Sequence, residues 1–126
     1  MIGMDFITAG KAVFTVSNNN GEHYTYKIRK HKTEDMFFAS VLTGNGYVYM
    51  GVFDKHTHKV YQGKKGMNPT AKCVRVIEWA MTVISGTVSL PEGYNIQHMN
   101  VCGCCSRPLT DPISIETGLG PVCRSR

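Results

Sequence analysis

The chain has 126 residues, of which 42% are hydrophobic and 18% charged, a composition that supports a folded core and excludes wholesale disorder. Fourteen Lys and Arg stand against nine Asp and Glu, a net charge of +5, which suits an acidic partner such as nucleic acid or an acidic protein surface without choosing between them. No apolar run approaches the roughly 20 residues of a membrane-spanning helix, so no membrane role is expected. The start, Met1-Ile-Gly-Met-Asp-Phe6, lacks the basic-then-apolar layout of a secretion signal. A cytoplasmic setting is therefore expected, and in a reducing compartment three closely arranged thiols among the five cysteines favour a metal over disulfides.

In chain order, Lys11-Ala-Val-Phe-Thr-Val16 is β-branched and aromatic, and Ser17-Asn-Asn-Asn-Gly21 is a turn signal. Residues 22–29 then alternate: Tyr24, Tyr26 and Ile28 point one way, His23, Thr25, Lys27 and Arg29 the other. One packed face and one wet face is an antiparallel habit, and the wet face of this strand is basic. Residues 36–42 and 47–53 read as further strands, with a short fifth over 59–62. The basic excess sits in this first half, where residues 1–66 hold nine basic and five acidic side chains.

The clearest helix follows. Asn68 is expected as its N-cap and Pro69 as its first position. From Thr70 to Ile84, Val74, Ile77, Met81 and Ile84 recur at helical spacing opposite Lys72, Arg75, Glu78 and Thr82, and Gly86 supplies the stop. Residues 88–96 read as an extended connector. The expected architecture is α+β: a four- to five-stranded antiparallel sheet backed by one helix over residues 1–88, then a metal-held tail over 89–126.

In that tail Cys102 and Cys105 form a C-x-x-C step, Cys123 returns later, and His98 precedes the first cysteine by four positions. Soft thiolates and an imidazole suit tetrahedral zinc, so a structural zinc knuckle of His98, Cys102, Cys105 and Cys123 is expected. Cys104, Asp111 or Glu116 could complete the site in place of His98. Asp111 reads as the cap of a short turn from Pro112 to Thr117, ended by Gly118. With Cys123 so near the last residue, no long helix is expected to follow it.

The run Cys102-Gly-Cys-Cys105-Ser-Arg-Pro-Leu-Thr-Asp-Pro-Ile-Ser-Ile-Glu-Thr-Gly-Leu-Gly-Pro-Val-Cys123 resembles the signature C-x-x-C-G-R-x-L-T-x-P-x-S-I-x-x-G-x-G-P-x-C. That signature closes a family of uncharacterised small bacterial and bacteriophage proteins. Residues 6–16 and Tyr24-Thr-Tyr-Lys-Ile28 are similar to longer members. The resemblance implies a zinc-binding segment, often in a phage setting inside a bacterial host cell, and brings no known reaction. Two departures stand out: Ser106 replaces the usual glycine, and Cys104 adds a thiol inside the C-x-x-C.

Lys27, Arg29, Lys30 and Lys32 form the main basic cluster, with Lys64 and Lys65 a second and Arg107, Arg124 and Arg126 around the knuckle. The expected function is non-catalytic binding of nucleic acid, with Lys27, Arg29, Lys30, Lys32 and Arg107 on phosphates. Tyr24, Tyr26, Tyr47, Tyr49 and Phe53 could stack on bases were a sheet face open, but the helix needs a face to pack on, so most are assigned to the core. One rival is a phage-encoded interaction protein that inhibits a host defence or replication enzyme. Another is a zinc-dependent hydrolase, which needs an open coordination position.

Overall fold

A computed structural model describes residues 1–125; Arg126 lies outside the described residues. A one-turn helix, α1 (Met4–Ile7), leads into a meander of four strands: β1 (Lys11–Asn18), β2 (His23–Lys30), β3 (Phe37–Thr43) and β4 (Gly46–Phe53). The two-residue β5 (Val60–Tyr61) extends the meander, α2 (Lys72–Ile84) crosses back, and β6 (Tyr94–His98) returns beside β1. The sheet is antiparallel throughout and ordered β5-β4-β3-β2-β1-β6. It therefore has six strands rather than four or five. The additional strand lies where a connector was expected. Only Ile96 of β6 is buried, so its composition gives little strand signal, and its pairing with Val16 places it.

Period-two patterning sorts the sheet into two faces. Ala12, Phe14 and Val16 of β1, Tyr26 and Ile28 of β2, and Phe37, Ala39 and Val41 of β3 are all buried. They share one core with Val74, Ile77, Ala80, Met81 and Ile84 of α2, which is the stripe the helical spacing predicts. The Tyr26 hydroxyl donates to the Cys73 carbonyl at 2.7 Å, so the phenol is satisfied inside this core. In β4 the alternation breaks at a bulge: Ala39 pairs with Gly51 and Ser40 with Tyr49, so Met50 is passed over. Gly51 has φ +152°, and a Cβ there would strike the Tyr61 carbonyl. The extra residue lets both Met50 and Phe53 reach the core while Tyr47 and Tyr49 turn to the other side.

The helix starts later than expected. Asn68 Oδ1 accepts from the Thr70 backbone N–H at 2.9 Å and so closes a side-chain turn two residues ahead of the helix. Ala71 then occupies the N-cap position without a capping side chain, and Pro69 lies outside α2. The stop falls at Gly86 as expected, at φ +87° with its N–H donating to the Val83 carbonyl at 3.0 Å. Glu78, on the polar line of α2, accepts from the Val60 N–H at 2.9 Å and ties β5 to the helix.

The opposite face of the sheet carries Lys11, Val13 and Thr15, then Thr25, Lys27 and Arg29, then Phe38, Ser40 and Leu42, with Tyr47 and Tyr49 beyond. Every one of these residues keeps solvent access. Among the described residues no helix is long and apolar enough to cross a membrane.

Candidate metal centre and the open sheet face

The C-terminal segment closes two tight turns against α1 and ends in a third. Cys102 donates its N–H to the Arg107 carbonyl at 2.8 Å, and Ser106 donates to the Cys102 carbonyl at 2.9 Å, so the C-x-x-C step lies inside one small hairpin. Ser106 sits at φ +64°, a left-handed conformation that costs an L-residue about 1–2 kcal/mol relative to glycine. That geometry favours glycine at this place. The second turn is α3 (Pro112–Thr117), capped by Asp111 and ended by Gly118 at φ +76°, as the sequence predicts. Asp111 accepts from the Ser114 N–H at 3.0 Å and from its hydroxyl at 2.6 Å. These contacts hold the Asp111 carboxyl below its usual range, the Ser114 hydroxyl contributing most and its N–H next. A last turn, α4 (Pro121–Arg124), delivers Cys123. Arg124 pins that turn to α3 through the Ser114 hydroxyl at 2.7 Å and the Leu119 carbonyl at 3.0 Å.

Phe6 joins the two turns to the body. Its ring is buried, and a Cβ on Gly103 would come within 2.7 Å of it. Gly118 meets the same ring from the other turn, and the Gly103 N–H donates to the Gly118 carbonyl at 2.9 Å. Both glycines are therefore places where the backbone must approach an aromatic ring.

Cys102, Cys105 and Cys123 come together, their sulfur atoms all within 4.8 Å of one another; this is the one such group among the described residues that could hold a metal ion. A zinc–thiolate tetrahedron wants sulfurs on the order of 3.8 Å apart, so modest rotamer adjustment suffices. Cys102 Sγ also accepts from the Gly120 N–H at 3.3 Å and the Cys104 N–H at 3.4 Å. Burial pushes the Cys102 thiol up, but the backbone N–H groups of Gly120, Cys105 and Cys104, helped by the Cys105 side chain, outweigh it and bring the thiol down to about 6. Cys123 moves the other way, to about 12, through burial first and then through hydrogen bonds with the Cys104, Cys102 and Cys105 thiols. A divalent ion held between the sulfurs would favour the thiolate form at each of them.

His98, expected as the fourth ligand, is not brought to the cysteines. It ends β6 opposite Phe14, with its ring 6.1 Å from that of Phe6. Its Nδ1 accepts from the Asn100 N–H at 2.8 Å, and its Nε2 faces the Ile115 carbonyl in a short hydrogen bond. With Nδ1 accepting and Nε2 donating, the ring has no lone pair left for a metal. Cys104 is not in that group either, so among the described residues three sulfurs, and no fourth side chain, converge there.

The expected phosphate contacts are dispersed. Lys27 and Arg29 share the open face, Lys30 alternates away from it, Lys32 is exposed in the β2–β3 turn, and Arg107 is exposed on the C-x-x-C hairpin. On the open face two cations meet aromatic rings: Lys27 Nζ lies 4.4 Å from the Tyr47 centroid and the Arg29 guanidinium 5.2 Å from that of Phe38. Phe38 in turn stands 6.3 Å from Tyr49 and 5.9 Å from His31. Tyr47 and Tyr49 therefore leave the core to which the sequence assigns them, whereas Tyr26 and Phe53 stay in it and Tyr24 packs against it. Phe38 is a residue sequence reasoning missed. Its only signal was its place one residue from Phe37 in a strand apolar on both sides.

Residues 97–126 match the model of a family of unknown function (DUF6011), a span that starts in β6 and takes in all three clustered cysteines. No curated protein and no solved structure is a match for the chain.

Proposed function

We propose that the protein is a zinc-stapled module that binds single-stranded nucleic acid on the open face of its sheet. The observation that carries this reading is the interleaving of Lys27 and Arg29 with Tyr47, Phe38 and Tyr49 on a face with solvent access. Bases stack on uncovered rings for about 1–3 kcal/mol each, and cations between the rings take the phosphates. The arrangement is tolerant of sequence, because every base has a π-face and no base-reading groove element is needed.

Zinc fits the second half of the reading. Cys102, Cys105 and Cys123 would hold it, with solvent in the fourth position, and the N–H groups of Gly120 and Cys104 on Cys102 suit a thiolate ligand. Bound there, the ion supplies folding energy to a segment with few buried apolar side chains of its own.

The test is anisotropy of a labelled oligonucleotide with the purified protein across a salt series. Phe38→Ala and Tyr49→Ala are each expected to weaken binding by about 1–3 kcal/mol, and Lys27→Ala to lower the salt slope by about one counterion. No binding at low salt, or full affinity in all three variants, overturns the reading. A second reading, docking on a protein, is favoured by Ile113 and Val122, each 62% exposed on the knuckle. Capture of a partner that persists after nuclease and is lost in Val122→Asp would select it.

A further inference from the structure

We propose that a separate groove, between the first half of α2 and the neighbouring ends of β1, β2 and β6, is a binding site for a single nucleotide. In this site the base lies against Trp79 and Tyr94, and the phosphate is taken by Arg75. The site does not depend on the open-face reading, because Phe38, Tyr47 and Tyr49 are not among the residues that line it.

The groove encloses about 750 Å³, a volume that suits a ligand of nucleotide size. Its floor is apolar, with Val16 and Val76, and its walls are aromatic. Trp79 and Tyr94 stand 5.3 Å apart at 58°, and Tyr24 also lines the space. Tyr94 is 44% exposed, so a ring surface remains available to a flat partner.

The charge of the groove selects the rest of the ligand. Lys72, Arg75 and His23 line it against a single carboxylate, Glu22. Glu22 is engaged by Lys72 at 2.6 Å, a pair that bridges α2 to the β1–β2 turn at the rim. Arg75 and His23 have no carboxylate in ion-pair range among the described residues. An exposed guanidinium with its fork unused, beside a pair of aromatic rings, matches a phosphate carried on a planar base. Ser17, Asn18 and Thr70 add hydroxyl and amide groups of the kind a sugar needs. A purely apolar ligand would leave the cations idle, and a bare anion would leave the rings idle.

The chain has one tryptophan, so its indole N–H resonance reports the groove directly. Full-length protein is titrated with adenosine monophosphate, adenosine and inorganic phosphate while that resonance is followed. The expected result is a saturable shift with the monophosphate, at least tenfold tighter than with adenosine, and little response to phosphate alone. Arg75→Ala, an exposed position, is expected to bring the monophosphate down to the level of adenosine with the circular dichroism unchanged, while Phe38→Ala leaves the titration as it was. Absence of a saturable shift, equal affinity for adenosine, an equal response to phosphate, or an unaltered Arg75→Ala titration would each overturn the assignment.

Discussion

The sheet-and-helix body and the C-terminal knuckle solve the folding problem by different means. The body buries its strand and helix faces in one continuous core, from Ala12 and Phe14 through Tyr26 and Ile28 to Val74 and Met81. The knuckle contributes only Cys102, Leu109 and Leu119 to that core and borrows Phe6 from α1. What it has instead is a dense set of local hydrogen bonds around three sulfurs. Apolar burial suffices for the body, whereas the knuckle's order is expected to depend on what the sulfurs hold.

Removing the metal should split the two most sharply. Chelation, or Cys102→Ser, is expected to cost the knuckle on the order of 10 kcal/mol of binding energy. Hydrogen exchange then shows the Gly103 and Gly118 amides losing protection while those of α2 keep theirs; uniform loss, or none, would break the contrast. Phe6→Ala comes next, at about 3–5 kcal/mol, and its thermal melt should show both regions weakened, because that ring is shared. Ser106→Gly should work in the opposite direction, raising stability by about 1 kcal/mol through relief of the left-handed backbone, with chelator resistance as the readout.

Acid gives the smallest and most selective effect. Protons compete with metal for thiolates, so the knuckle should release first as pH falls. The body's response comes later, in part at Asp54 between β4 and β5, whose carboxyl is held below its usual range by the His56 N–H and then the Thr57 N–H. A depressed carboxyl contributes stability that is fully present above its unfolded value of ~4 and is lost as pH falls through the lower folded value. Asp54→Asn is expected to shrink that last step in an acid titration followed by circular dichroism, the remainder coming from Glu22 and Asp35, which are also held below their usual range, and to leave the earlier step intact.

The same contrast explains what the sequence could say. The Cys102–Cys105 step, the Asp111 cap and the Gly118 stop are local signals, and each appears where expected. β2 was legible because its two sides differ chemically, so the outward course of Lys27 and Arg29 could be read from alternation. β3 and β4 are apolar on both sides, and the bulge at Met50–Gly51 shifts the register midway, so nothing local assigned Phe38 and Tyr49 to the open face. His98 had suitable spacing from Cys102, but its position is set by pairing with Phe14, a contact 84 residues away in the chain. Asn68 had the right chemistry for a cap and closes an earlier turn instead.

The placement of β6 carries one more consequence. It lines the outer side of β1, from Phe14 opposite His98 to Asn18 opposite Tyr94, and it runs directly into the C-x-x-C hairpin. If that hairpin loosens and β6 peels off, a row of unpaired backbone donors and acceptors on β1 becomes a template for another chain. Metal starvation would then show itself as self-association of an otherwise intact body.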